Sequence, residues 1–98
     1  MIIFAYSYYI DKGKEEEYLK WSAETGAPFW LKQPGVVEMR SYSARGSNKR
    51  TVIVEMESFE AWGKLWDKPD LVEISNKFAE YTHGLKWTLL QEAARYSP

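Results

Sequence analysis

The first ten residues constrain this chain more than any other segment. From Ile2 to Ile10 every residue except Ser7 is apolar or aromatic, and Asp11, Lys12 and Gly13 then end the run. That composition and that break are the pattern of a β-strand followed by a turn. In an extended chain Ile2, Phe4, Tyr6, Tyr8 and Ile10 project one way while Ile3, Ala5, Ser7 and Tyr9 project the other. Neither set is polar enough for open water, so both faces of this strand need cover.

The periodicity then changes from two to that of a helix. Between Lys14 and Trp30, the residues Tyr18, Ser22, Thr25 and Phe29 form one stripe, widened by Leu19, Trp21, Ala23 and Trp30. Glu15, Glu16 and Glu17 fall in the first turn, where the helix dipole favours acids. Pro28 lacks a backbone donor and disfavours helix at Ala27, so a kink or restart is expected near Gly26, and Gln33-Pro34-Gly35 ends the segment. Val36 to Tyr42 and Thr51 to Met56 alternate as two strands around Arg45-Gly46-Ser47-Asn48, a β-hairpin pattern. Ser58 is suited to cap a helix from Phe59 to Asp67, and Pro69 opens a second helix reaching about Thr82, with Gly84 expected as its left-handed stop. Leu85 to Gln91 reads as the last strand, and residues 93–98 as a loose tail.

The order β-α-β-β-α-β is that of an α+β, ferredoxin-like domain: an antiparallel four-stranded sheet with helices on one face. That leaves the other sheet face bare, and since the first strand is apolar on both sides, a second copy packed sheet to sheet would cover it as a homodimer. The whole chain, residues 1–98, has room for one core.

Composition excludes several functions. The chain has no cysteine and a single histidine, so thiolate chemistry is absent and no histidine-rich metal site can form within one chain; no metal and no cofactor is expected. Thirteen basic against 14 acidic residues give no electrostatic reason for a nucleic-acid or membrane partner. Without a signal-peptide pattern or a long apolar run, a cytoplasmic location is expected. The unusual quantity is the 16% of aromatic residues, with five Trp and seven Tyr.

Four short segments carry a family likeness: the tyrosine-rich first strand with its Asp11-Lys12-Gly13-Lys14 turn, Pro34-Gly35-Val36-Val37 ahead of the second strand, Glu57-Ser58-Phe59-Glu60-Ala61-Trp62 at the start of the second helical region, and Gly46-Ser47-Asn48 in the hairpin with Asp67-Lys68-Pro69 downstream. Over Ile2 to about Gln91 the chain resembles the dimeric α/β-barrel superfamily, which holds antibiotic-biosynthesis monooxygenase-like domains, haem-degrading monooxygenases, stress-responsive barrels and NIPSNAP-like proteins. The hairpin and the Asp67-Lys68-Pro69 segment look more like the NIPSNAP side. The resemblance implies a homodimer, a dimeric α/β barrel, with a pocket between helices and sheet in each subunit. In monooxygenase-like members that pocket takes a flat aromatic or polycyclic substrate, often without metal or prosthetic group, and the deprotonated substrate itself passes an electron to oxygen. In haem-degrading members a helix histidine, a strand-one asparagine and a tryptophan shape the site. Trp66 matches the tryptophan, whereas strand one has no asparagine and Asn76 stands near the histidine position.

The candidate site residues each have two readings. His83 is the only imidazole, suited to proton transfer, but its place beside Gly84 at an expected helix end suits a cap. Tyr6, Tyr8, Trp62, Trp66 and Phe78 are candidates for binding a flat substrate, though aromatic rings at helix and strand spacing also serve as core. Glu38, Arg40 and Glu55 cluster if the hairpin turns on Gly46-Ser47, which sets Glu38 opposite Glu55; this reads as an ion network on the dimer face or as an acid-base pair. Two functions stay open: a small cofactor-independent monooxygenase-like enzyme, or a non-catalytic ligand-binding or interaction module. An open cavity reached by His83 or a tyrosine hydroxyl favours the enzyme, and a close-packed interior with His83 turned outward favours the module.

Overall fold

A computed structural model describes residues 1–98 and has nine regular segments. They are β1 (Ile2–Ile10), α1 (Glu15–Trp21), a π-helical turn (Ser22–Gly26), α2 (Ala27–Leu31), β2 (Val36–Ser43), β3 (Lys49–Met56), α3 (Phe59–Leu65), α4 (Pro69–Tyr81) and β4 (Thr82–Gln91). The strands form one antiparallel sheet in the order β2-β3-β1-β4. This is the α+β, ferredoxin-like arrangement, and it sets β1 at the centre of the sheet between β3 and β4.

The inner face of β1 and β3 supplies the base of the core. Phe4, Tyr8, Ile10, Val52, Val54 and Met56 are buried there, Val54 and Met56 completely, and the helical residues Tyr18, Phe29, Trp30, Leu65, Leu71 and Tyr81 close over them. The opposite face presents Ile3, Ala5, Ile53 and the half-exposed Leu90, with no element of the chain upon it.

Pro28 does not break the first helical region. The helix widens instead: Ser22 and Ala27 keep right-handed angles, and the Ala27 N–H donates to the Ser22 carbonyl five residues back. Such a turn accommodates the proline ring and leaves no four-back bond waiting for the donor that Pro28 lacks. At α3 the Ser58 hydroxyl accepts from the Ala61 N–H at 3.1 Å, the cap read from the sequence, and the helix stops at Leu65, two residues before the expected Asp67.

The end of α4 differs from expectation. The helix stops at Tyr81 and the chain enters β4 at Thr82, three residues before the expected Leu85. Gly84 is not a helix stop. The Thr82 hydroxyl donates to the Phe78 carbonyl at 2.9 Å and the Asp11 N–H to the Tyr81 carbonyl at 2.8 Å, so the free carbonyls of the last turn are met without it. Gly84, at φ +69, lies at a bulge where Gly84 and Leu85 together face Tyr8. In the hairpin the Ala44 N–H bonds the Lys49 carbonyl, giving a four-residue loop with the same pairing sum as the expected two-residue turn.

Candidate active site

Between the sheet and the helices lies a cavity of about 660 Å³. Its floor comes from Phe4, Tyr6 and Tyr8 of β1, because alternate residues of a strand share one face. Its roof comes from Tyr18 and Trp21 of α1, Trp30 of α2, and Leu71, Ile74 and Phe78 of α4. The π turn also contributes: Trp21 lies over Gly26, where an added Cβ would sit 3.2 Å from the indole. Absence of a side chain at Gly26 thus lets the Trp21 ring lie against the backbone there. Seventeen of the 24 lining residues are hydrophobic, and none is Asp, Glu, Lys or Arg. The interior therefore suits an uncharged, apolar molecule.

The polar groups are mostly hydroxyls. The Tyr8 hydroxyl is hydrogen-bonded to that of Tyr18, and the rings of Tyr6 and Tyr8 stack at 5.9 Å. Burial pushes the phenols of Tyr6 and Tyr8 well above the ordinary tyrosine range, with Tyr18 adding to both and the Trp30 side chain opposing the shift at Tyr6. Both stay protonated at neutral pH, so they are hydrogen-bond donors and not bases.

Trp66 and Trp87 are 47% and 52% exposed and approach to 6.4 Å at the mouth of the cavity. Trp62 stands behind them, packed against Phe4 at 6.2 Å, Trp66 at 5.5 Å and Trp87 at 5.9 Å. Its indole Nε1 is buried without a partner. Of the expected binding residues, Tyr6, Tyr8, Trp66 and Phe78 thus line one cavity while Trp62 supports its rim. Tyr18, Trp21 and Trp30, from the stripe of the first helical region, line the same cavity. Trp87 was missed; the signal was the alternation of Leu85, Trp87 and Leu89 toward one face of the last strand.

His83 is placed otherwise than at a helix end. It lies in β4 opposite Tyr9, on the face away from the helices, with the two rings stacked at 5.5 Å and Nδ1 2.6 Å from the Asp11 carboxylate. His83 is among the residues that border the cavity, and its ring is engaged by Tyr9 and Asp11. Glu38, Arg40 and Glu55 are on that same outer face. Glu38 faces Glu55 across the ladder, and Arg40 Nη2 reaches Glu55 at 3.2 Å. No group of three or more His, Asp or Glu side chains is arranged to hold a metal ion, and no helix is long and apolar enough to cross a membrane.

Haem fits these residues poorly. The one imidazole is stacked on Tyr9 with Nδ1 held by Asp11, and no Lys or Arg in the wall meets a propionate.

No protein-family model matches the chain, and no curated protein matches it. Solved structures do. SnoaB, a cofactor-independent oxygenase from Streptomyces nogalater, matches with a TM-score of 0.81 at 20% identity, covering 98% of this chain and 94% of that one. The monooxygenase from the gene ActVA-Orf6 of Streptomyces coelicolor, in complex with nanaomycin D, matches with a TM-score of 0.82 at 10% identity, covering 99% and 91%. A MhuD mutant with two manganese protoporphyrin IX molecules per active site matches with a TM-score of 0.74 at 15% identity over the full length of both. The chain therefore has the subunit fold of these oxygenase and monooxygenase structures.

Proposed function

We propose that this protein is a cofactor-independent monooxygenase-like enzyme that takes a flat, uncharged aromatic or polycyclic molecule. The observation that carries this reading is the apolar cavity of about 660 Å³, floored and roofed by aromatic rings and furnished with tyrosine hydroxyls but no charge. Likeness of fold to SnoaB and to the nanaomycin complex supports the same class.

The chemistry asks little of the protein. A phenolic substrate loses its proton, the anion gives one electron to dioxygen, and the radical pair recombines to a hydroperoxide. Loss of water then leaves a quinone: one oxygen atom enters the ring and the other departs as water. The protein's part is to hold the ring flat, exclude water and hydrogen-bond the substrate oxygen. The imidazole of His83, on the far side of the sheet, has no part in these steps.

The enzyme acts as a homodimer in this reading. The uncovered sheet face, with Ile3, Ala5, Ile53 and Leu90 flanked by the Arg40–Glu55 pair, suits a second copy of itself.

A panel of naphthols and hydroquinones tests the activity, with oxygen uptake measured alongside ligand-induced stabilisation. Oxygen uptake with one labelled atom in the product is expected for at least one compound. Stabilisation by several compounds with no uptake by any would favour the ligand-binding module instead.

A further inference from the structure

Three phenols meet in a cavity that carries no formal charge, and their protons can be counted. Tyr8 and Tyr18 hold two hydroxyl protons between them and make one hydrogen bond to each other, so one proton of the pair is left over. The Tyr6 hydroxyl, on the same cavity floor, has no side-chain partner at hydrogen-bonding distance, so its proton is also left over. Two O–H donors therefore converge on the cavity from β1 and α1. An unmet donor in an apolar place is costly, and the natural remedy is an acceptor on the bound molecule.

We propose that Tyr6, Tyr8 and Tyr18 form an oxyanion site, which donates two hydrogen bonds to the phenolic or carbonyl oxygen of the bound ring and favours its deprotonated form. This rests on the reading of the cavity as an aromatic-substrate site and adds a chemical task for named residues. It also answers how a site without a general base promotes deprotonation. The proton leaves to water before or as the ring settles, and the hydrogen bonds hold the resulting anion. Such bonds are strengthened when the acceptor gains charge and when solvent is excluded, both of which apply here. Because burial keeps Tyr6 and Tyr8 protonated, they donate rather than compete for the negative charge. Negative charge brought to the oxygen is also what makes the ring a better electron donor to dioxygen, so the same contacts assist the redox step.

Shape gives a further reason. Tyr6 and Tyr8 project from the same strand face with their rings stacked, and Tyr18 reaches the Tyr8 hydroxyl from the helix layer, so all three phenols border one cavity.

The test uses a nitronaphthol, whose phenolate is coloured, titrated with pH while bound to the full-length protein and to Tyr6→Phe, Tyr8→Phe and Tyr18→Phe. Binding itself is followed separately by quenching of tryptophan fluorescence. The apparent pKa of the bound probe should be lowest in the native protein. Tyr6→Phe should reduce the bound phenolate-to-phenol ratio by about tenfold, the effect of one hydrogen bond to a charged acceptor, and Tyr8→Phe and Tyr18→Phe by less, since the surviving hydroxyl of that pair keeps a proton to donate. Near-ultraviolet circular dichroism identifies any variant whose packing has failed, and the two remaining variants then decide. Binding with the same ratio in the native protein and in folded variants overturns the oxyanion site and leaves the cavity reading standing. Absence of binding to the native protein overturns the cavity reading, and the oxyanion site with it.

Discussion

Gly35 and Ala61 touch so closely that a Cβ added to Gly35 would lie 2.6 Å from the Ala61 Cβ. Gly35 has φ +89, and its carbonyl accepts the Glu57 N–H at 2.8 Å, so this point joins the start of β2 to the segment ahead of α3. Gly35→Ala should cost roughly 2–5 kcal/mol, from left-handed strain together with the overlap. Gly13→Ala is the control: its φ is +85 but nothing lies within 4 Å, so about 1–2 kcal/mol is expected. Urea unfolding of both proteins reads the difference; equal losses would refute the contact.

The buried phenols make stability depend on alkaline pH. In the unfolded chain Tyr6 and Tyr8 ionise near 10.0, while in the folded protein burial holds them protonated to higher pH. Above pH 10 the folded state therefore binds more protons than the unfolded one, and stability falls as pH rises. Their contribution is fully present below pH 10 and is lost through the folded titration. The slope is about 1.4 kcal/mol per pH unit for each phenol. Tyr8→Phe should remove about one phenol's share of that slope, which denaturation curves collected at a series of pH values above 10 will reveal.

Two neighbouring tryptophans should respond differently. Trp66 is half exposed at the cavity mouth, so Trp66→Ala should weaken a flat aromatic ligand about 3- to 10-fold, the worth of one aromatic contact. Its effect on unfolding should be near 1 kcal/mol, since that ring surrenders little buried area. Trp62, wedged among Phe4, Phe59, Trp66 and Trp87, should cost about 2–4 kcal/mol when cut to Ala. Fluorescence titration and thermal melts on the two variants separate these roles; a reversed pattern would contradict them.

Ile53 sits at the middle of the uncovered sheet face, opposite Ala5 on one side and Arg40 on the other. Ile53→Lys places a charge where the proposed partner sheet packs and should give the monomer mass in light scattering, against a dimer for the native chain. A native monomer at micromolar concentration would remove the homodimer from the account.

Ser58→Ala removes the hydroxyl that accepts from the Ala61 N–H and should cost about 1 kcal/mol in urea unfolding. Unchanged stability would mean that water serves the α3 terminus equally well.

Local chemistry was sufficient to read the element order and the Ser58 cap, because strand alternation, helix period and turn residues act over a few residues, whereas the hairpin register stayed conditional on where the turn closes. The first strand's apolar character on both faces already required cover on each, and the sheet order meets half of that need with helices. The same local reading misplaced Gly84 and with it His83. A glycine after a helical stripe looks like a helix stop, but Thr82 and Asp11 meet the carbonyls at that end, and pairing with β1 draws the following residues into the sheet. Once His83 stands opposite Tyr9, alternation alone turns its ring away from the helices. What tertiary structure decided is whether aromatic rings fill space or enclose it. Trp62 and Trp66 are four residues apart on one helical stripe and indistinguishable by period, yet one packs at the rim and the other lines the opening. That difference depends on Trp87 from the far end of the chain, which no window of neighbouring residues contains.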